Sequence, residues 1–402
     1  MMDHAVLGQV ALGYCPMVDR QRVVTGTRLT VFPERPDAAP DPDALLAAIH
    51  EVWPTAEAGA KPTLSLNLAG EAMLRRMLQA NPGAQTMVEV PAFMAADTAN
   101  TAGLQALRAT GATLVIKGRP LAPLPTSLLP LFTHCIVELE EDRRTSPVAP
   151  AGIARTVTTI QAGLRNSADF EKAYQLGAAA VLGWTWDDPL PKPSGRNSVP
   201  SDIKTVMDLI NGVDKEEPVP KLEAVLRRDP TLAFRLMRYL NSPAFGLAVE
   251  INSFGHALML LGYQRLKRWL ALLLASSAKG ANARPVMYAA VRRGLLMEEL
   301  AREHGDAETR SEMFICGVFS LLDRLLQQPM AELLPTVPVP ERVAQALRGE
   351  GGPYTPFLEL VQAIEDARAY DIREKSEQLL LGPAVVNRAV LSALRAARQL
   401  DG

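Results

Sequence analysis

Cysteine is scarce: three occur in 402 residues, at Cys15, Cys135 and Cys316, with no C-x-x-C spacing. An odd, scattered set fits reduced thiols in a cytoplasmic protein rather than a disulfide framework. Histidine is equally thin, with five residues dispersed at His4, His50, His134, His256 and His304. An excess of one charge is missing too. The 42 basic and 44 acidic residues leave a net charge of −2, so no global field favours DNA, RNA or anionic lipid. No long apolar run exists. The longest, Trp269 to Ala275, is too short to span a bilayer. The start, MMDHAVLGQV, lacks the basic region and apolar core of a signal peptide. These shortages predict a cytoplasmic chain without a membrane segment. What is present is 48% apolar and 21% charged residues, enough for two or three domains with sizeable cores.

The two halves follow different grammars. From about Gly8 to Trp186, β-type runs alternate with helical ones: VVTGTRLTVF (23–32), TLSLNLA (63–69), TMVEVPAF (86–93), TLVIKG (113–118), HCIVELE (134–140), TVTTIQAGL (156–164) and AAVLGWTW (179–186). Between them, PDALLAAIHEVW carries a helical repeat at Leu45, Leu46, Ile49 and Val52, and other helices are predicted to start at Asp97 and Ser167 and to stop at Gly111 and Gly177. Strand then helix, repeated, reads as a parallel sheet covered by helices, and seven such strands predict a (β/α) barrel. The proline-rich RPLAPLPTSLLP (119–130) predicts an irregular crossover. DDPLPKPSGRNSVPSD (187–202), with four prolines, marks a linker. Beyond it the signals are all helical, at roughly 253–261, 263–278, 285–303, 308–328, 340–348, 356–370 and 383–399. The division is a barrel domain over 1–186, a linker over 187–200 and a helical domain over 201–402.

The string RLMRYLNSPAFGL (235–247), followed by INSFGHALMLLGYQRLKRWLALLLAS, is the most specific in the chain. It resembles the HDOD domain, a helical relative of HD-domain phosphohydrolases found in bacterial signalling proteins. The signature turn is Asn241, Ser242 and Pro243 with Phe245 and Gly246. Asn and Ser bonding the local backbone, Pro stopping the helix and Phe245 filling the core account for it structurally; partner docking is the alternative. Metal-binding HD relatives carry a His-Asp doublet in a sequence like G-L-L-H-D. Aligning Gly317 with that glycine puts Ser320 at the His and Leu321 at the Asp, and an earlier family histidine at Arg292 or Arg293. A hydroxyl is a poor ligand and leucine is none, and isolated His304 makes no site. Residues 313–326 are therefore expected to form one buried helix with Val318, Leu321, Leu322 and Leu325 on a shared face.

Behind such a domain, PMVDRQRVVTG, LSLNLAG and LGWTWDDPLPKP make the first half resemble an EAL domain, the cyclic di-GMP phosphodiesterase barrel. That resemblance implies a site in which carboxylates and an Asn hold divalent metals that activate water. Here the naming Glu-Ala-Leu falls at Arg28-Leu29-Thr30, the Asp-Asp pair at Lys117-Gly118, the catalytic Lys near Glu138 and the Asp after it near Glu140. Asn67 and Glu89 remain as ligand types, and two cations stand where anionic ligands belong. The expectation is an EAL–HDOD protein that is not an enzyme and holds no cofactor: an adaptor for other signalling proteins. A non-catalytic receptor for cyclic di-GMP using Arg28, Asn67, Glu89, Lys117 and Glu138 is the alternative, and residual phosphodiesterase activity the second. Arg28 and Lys117 would either meet phosphate at the barrel mouth or pair with Glu89, Glu138 or Glu140. Trp184 and Trp186 share a strand face, for core packing or for stacking on a partner. Arg265, Lys267 and Arg268 in GYQRLKRWL superficially suggest DNA contact, but a buried amphipathic helix with a basic outer face explains them more simply.

Overall fold

The computed structural model describes residues 4–35, 39–53, 63–120, 124–144, 157–190, 201–226, 253–276, 283–303, 305–337 and 339–401. The signature turn at 241–246, most of the 187–200 linker and His304 lie outside them. Two compact units emerge. One is Met1–Asp188 together with Gln362–Leu391; the other is Pro189–Val361 with Ser392–Gly402. The 201–402 division runs across this boundary, because residues 362–391 pack with the barrel.

The first unit is a closed barrel of eight strands in sequence order. They are β1 (Val10–Asp19), β2 (Val24–Pro33), β3 (Leu64–Leu68), β4 (Thr86–Pro91), β5 (Thr113–Lys117), β6 (Phe132–Glu138), β7 (Thr158–Leu164) and β8 (Ala180–Gly183). Strands β2 to β8 run parallel. Strand β1 is antiparallel to both its neighbours, β2 and β8. The expectation of seven parallel strands is corrected by this added strand. VALGYCPMVD is buried at all but two positions, so it shows no inside–outside alternation, and Gly13 and Pro16 weaken its β signature. Pro16 is tolerated because β8 pairs only with Met17, Val18 and Asp19. The Asp19 carboxylate accepts from the amides of Gln21 and Val23 and closes the β1–β2 turn.

The helices of this unit are α1 (Pro42–His50), α2 (Glu71–Met77), α3 (Ala92–Ala96), α4 (Thr101–Ala109) and α5 (Ser167–Gln175). Asp97 caps a short 3-10 turn before α4, not α4 itself, and Asn166 caps α5 through the Asp169 amide. The 119–130 crossover holds a 3-10 turn at Leu129–Leu131. The barrel interior is filled by Met17, Met87, Val115, Ile136, Ile160 and Leu182. Outside the sheet, Val18, Leu164 and Val181 pack on Phe170 and Tyr174 of α5.

The second unit is helical: α6 (Ser201–Asp214), α7 (Val219–Leu226), α8 (Phe254–Ser276), α9 (Ala283–Leu300), α10 (Ala307–Phe319), α11 (Leu322–Leu326), α12 (Met330–Leu333), α13 (Glu341–Arg348) and most of α14 (Thr355–Glu365). Gly262, at φ 72, breaks α8 where two helices were expected. Helices α9 and α10 cross at glycines. A Cβ on Gly317 would lie 2.6 Å from both Arg293 O and Gly294 Cα, so only glycine lets the backbones approach this closely. The single helix expected over 313–326 is two, because Leu321, at φ −118 and ψ 13, leaves helical geometry between α10 and α11. Val318, Leu321, Leu322 and Leu325 are all buried as expected.

The predicted 356–370 helix also ends early, at Glu365. It is followed by α15 (Ala369–Gln378) and α16 (Pro383–Asp401). Residues from Gln362 to Leu391 join the barrel unit at β1. The buried Asn387 accepts from the Leu12 amide at 2.9 Å and donates to Leu7 O and Val10 O at 2.8 and 2.6 Å. It satisfies backbone that β8 does not reach. Among the described residues no single helix is long and apolar enough to cross a membrane.

Candidate functional site: an ionic cluster inside the barrel

Inward-facing side chains recur every second residue along a strand. Met87, Val115 and Ile136 belong to the interior core. Two residues further along their strands, on the same faces, stand Glu89, Lys117 and Glu138. An apolar plug thus gives way to an ionic layer towards the C-terminal ends of the parallel strands, where barrel sites are built. Arg28 enters from β2 opposite Cys15, and Asn67 from β3 opposite Thr30.

All five residues singled out in the barrel sequence meet here. Arg28 donates from Nε to Glu89 Oε1 at 2.8 Å and from Nη2 to Glu89 Oε2 at 2.6 Å. Ser65 Oγ donates to the same Oε1 at 2.9 Å. Lys117 Nζ donates to Asn67 Oδ1 at 2.7 Å, and Asn67 Nδ2 donates to Thr30 Oγ1 at 3.2 Å. Glu138 faces Arg28, Glu89 and Lys117 as a charge. Two cations and two carboxylates therefore balance.

The ionisations follow from burial and from these neighbours. Burial works against the Arg28 guanidinium, but the charge and hydrogen bonds of Glu89 outweigh it and hold its pKa above the ordinary value. Lys117 is lowered, chiefly by burial, against the pull of Glu89. Glu138 is raised by burial, with Arg28 and Lys117 opposing. Cys15 is pushed up to about 12 by burial and is no nucleophile at neutral pH.

Whether this layer suits divalent metals turns on Glu89. Both its oxygens are engaged by one guanidinium, and Arg28 and Lys117 bring positive charge where a cation would sit. The residues do not fit the metals the EAL resemblance implies. Among the described residues no group of three or more His, Cys, Asp or Glu is placed to share an ion.

The chain also covers part of this end. Gly13 shares the inward face with Cys15 and Met17, and a Cβ on it would lie 2.8 Å from Ala367 Cα and 3.0 Å from Ile364 O. The turn after α14 thus lies against β1 two residues from Cys15. Next to it Trp184 is buried, donates its indole N–H to Glu365 O at 2.9 Å and stacks on Trp186 at 4.8 Å. Trp184 serves core packing, while Trp186 is only half-buried. No sequence signal tied Gly13 or Trp184 to residues near 365.

In the helical unit, the positions expected from the HD resemblance to match metal ligands make the following contacts. Arg293 Nη1 donates to Ser320 Oγ at 2.9 Å, and Ser320 Oγ donates to Gly317 O at 2.6 Å. Arg293 is buried, as is Leu321. Arg292 lies over the Tyr288 ring. Lys267 bonds Asp214, and Arg268 bonds Glu298 at 2.5 Å while covering the Phe314 ring. These two basic side chains are thus committed within the helical unit.

Comparison with known proteins agrees with the HDOD resemblance. Residues 198–339 match the HDOD domain family. An uncharacterized protein of Bacillus subtilis, YuxH, is 30% identical over 215 residues, which is 52% of each chain. The cyclic di-GMP phosphodiesterase CdgJ of Vibrio cholerae is 25% identical over 181 residues, 45% of this chain and 42% of that protein. The chain thus spans about half the length of the curated relatives it matches. Among solved structures, the Klebsiella pneumoniae BlrP1 complex with calcium and cyclic di-GMP matches at 17% identity and TM-score 0.30, over 46% of this chain and 56% of that one. A standalone EAL protein of Vibrio cholerae bound to cyclic di-GMP matches at 14% and TM-score 0.29, over 43% and 89%. Residues 198–339 thus match the HDOD domain family, and they follow an eight-stranded barrel.

Proposed function

We propose that this protein is a non-catalytic signalling adaptor that works through protein–protein contacts. The observation that carries the reading is the Arg28–Glu89 pair. The carboxylate type that would hold a metal has both oxygens taken by a guanidinium, and displacing a buried partner from it is costly. Lys117 likewise spends one N–H on Asn67, so both cations already have partners within the barrel. The turn at Ile364 and Ala367 against Gly13 adds cover at the same end. In the helical unit, Arg293 and Ser320 support the same conclusion. The signalling context comes from the HDOD match and from relatives such as CdgJ.

The test is calorimetric titration of the full chain with cyclic di-GMP, with and without Mg²⁺ or Mn²⁺, while the same sample is assayed for hydrolysis. The adaptor reading expects no saturable heat and no product. Saturable binding without turnover, lost in Arg28→Ala and Lys117→Ala, makes the protein a nucleotide receptor instead. Metal-dependent turnover overturns the non-catalytic reading.

A further inference from the structure

A cavity of about 80 Å³ opens beside β1 where α15 and α16 join the barrel unit. Its walls include Ile372, Leu381 and Val386, all buried, and two carboxylates, Glu34 and, at the exposed rim, Glu377. Arg373 donates from Nε to Glu34 Oε2 at 3.1 Å and from Nη2 to Pro33 O at 2.7 Å. Glu34 Oε1 is buried and, among the described residues, has no hydrogen-bond partner. A buried acceptor normally finds a donor, and a charged one gains most from a charged donor. Asn387, also in the lining, cannot serve, since its amide is spent on Leu7, Leu12 and Val10. The cavity is large enough to hold more than a single water.

The surroundings say what kind of molecule brings the donor. Tyr370 is 75% exposed and Leu380 is 91% exposed. Tyr370 lies one helical turn before Arg373, and Leu380 precedes the lining residue Leu381. Leu380 is held at φ +56, a left-handed conformation that leucine rarely adopts. The exposed lining residue Glu377 adds negative charge at the rim. An apolar shaft ending on an unpartnered carboxylate oxygen suits an aliphatic chain with a cationic tip. Exposed apolar side chains on either side suit the residues flanking it.

We propose that this cavity is a docking site for a basic side chain, lysine above all, presented between apolar residues of a partner protein. The stem lies against Ile372, Leu381 and Val386, and the ammonium donates to Glu34 Oε1. The assignment rests on the adaptor reading only for the occupant being a protein. The pocket chemistry stands on the geometry.

The experiment uses the full chain with isotopically labelled Ile, Leu and Val methyls. It is titrated separately with n-butylammonium, n-butanol and the peptides acetyl-Leu-Lys-Leu-amide and acetyl-Leu-Gln-Leu-amide. Saturable shifts at Val10, Ile372, Leu381 and Val386 are expected with the lysine peptide, about tenfold weaker with the glutamine peptide because a charged hydrogen bond is lost. Glu34→Gln should weaken the lysine peptide similarly. Glu377→Lys, on the surface and harmless to folding, should weaken it as well. Butylammonium binding as tightly as the peptide overturns the docking assignment in favour of a free-amine site. Equal response to butanol, or none to any probe, overturns the pocket altogether. None of these outcomes depends on cyclic di-GMP binding or hydrolysis, so failure here and failure of the adaptor reading are separate results.

Discussion

Arg28 and Glu89 meet fork to fork across the barrel interior, Nε on Oε1 and Nη2 on Oε2, with the glutamate side chain fully buried and the arginine 13% exposed. Buried pairs are weak evidence for stability, but breaking one leaves an uncompensated charge. Arg28→Ala should therefore destabilise the protein by about 3–5 kcal/mol, whereas Arg28→Met with Glu89→Leu should return to within about 1 kcal/mol of the parent or exceed it. Denaturant unfolding followed by tryptophan emission closes the cycle. An additive double variant would falsify the pairing.

Glu138 gives a pH signature. Burial raises its pKa above the ordinary 4.5. Below 4.5 both folded and unfolded forms are protonated. As pH rises from there through the raised folded value, the unfolded chain loses its proton first, so stability falls across that window. Glu138→Gln removes this penalty. The variant should match the parent below pH 4.5 and be the more stable at neutral pH. Unfolding curves across that range test it, and a constant offset between the two proteins excludes the assignment.

The α9–α10 crossing makes a third expectation. Gly317→Ala places a methyl 2.6 Å from Arg293 O and Gly294 Cα, and both are backbone atoms that cannot rotate away. Overpacking of this kind typically costs about 1–3 kcal/mol. Ser320→Ala, which takes the 2.9 Å acceptor from Arg293 Nη1, should cost about 1–3 kcal/mol, as expected for a hydrogen bond to a charged group. Thermal melts of both variants against a surface alanine control supply the measurement.

Asn387 supports the fourth. It holds three backbone groups near β1 from 375 or more residues away. Asn387→Ala should destabilise the barrel unit by at least about 1–3 kcal/mol, because the buried Leu12 amide is left unpaired. A fragment ending at Asp188 should lack a cooperative melt, and adding the 362–391 peptide should restore one. A sharp transition from the fragment alone contradicts this.

Those contrasts show what the sequence made legible. Alternation exposed the parallel strands, and the two-residue period carried Glu89, Lys117 and Glu138 to the same interior layer as Arg28. Pairing choices were less visible: Lys117 went to Asn67, while Glu138 stayed a bystander charge. Strand β1 was missed because it is buried along nearly its whole length, which removes the alternation that identifies strands. The break at Leu321 was missed because its leucines continue a helical repeat, and the backbone departs from it while their burial persists. Asn387 and Glu34 carried no local signal at all, since their partners or their cavity depend on chain segments hundreds of residues apart.

The discontinuity of the barrel unit has a consequence for limited proteolysis. The helical unit occupies Pro189–Val361 in chain order, while Gln362–Leu391 returns to β1. A single nick at the Asp188–Pro189 junction separates the eight strands covalently from everything that follows them. The two products nevertheless stay joined, because the second carries the segment whose Asn387 and Arg373 grip the first. They should co-elute under native conditions and part only in denaturant, so band sizes on a denaturing gel and retention on a sizing column will disagree for this protein.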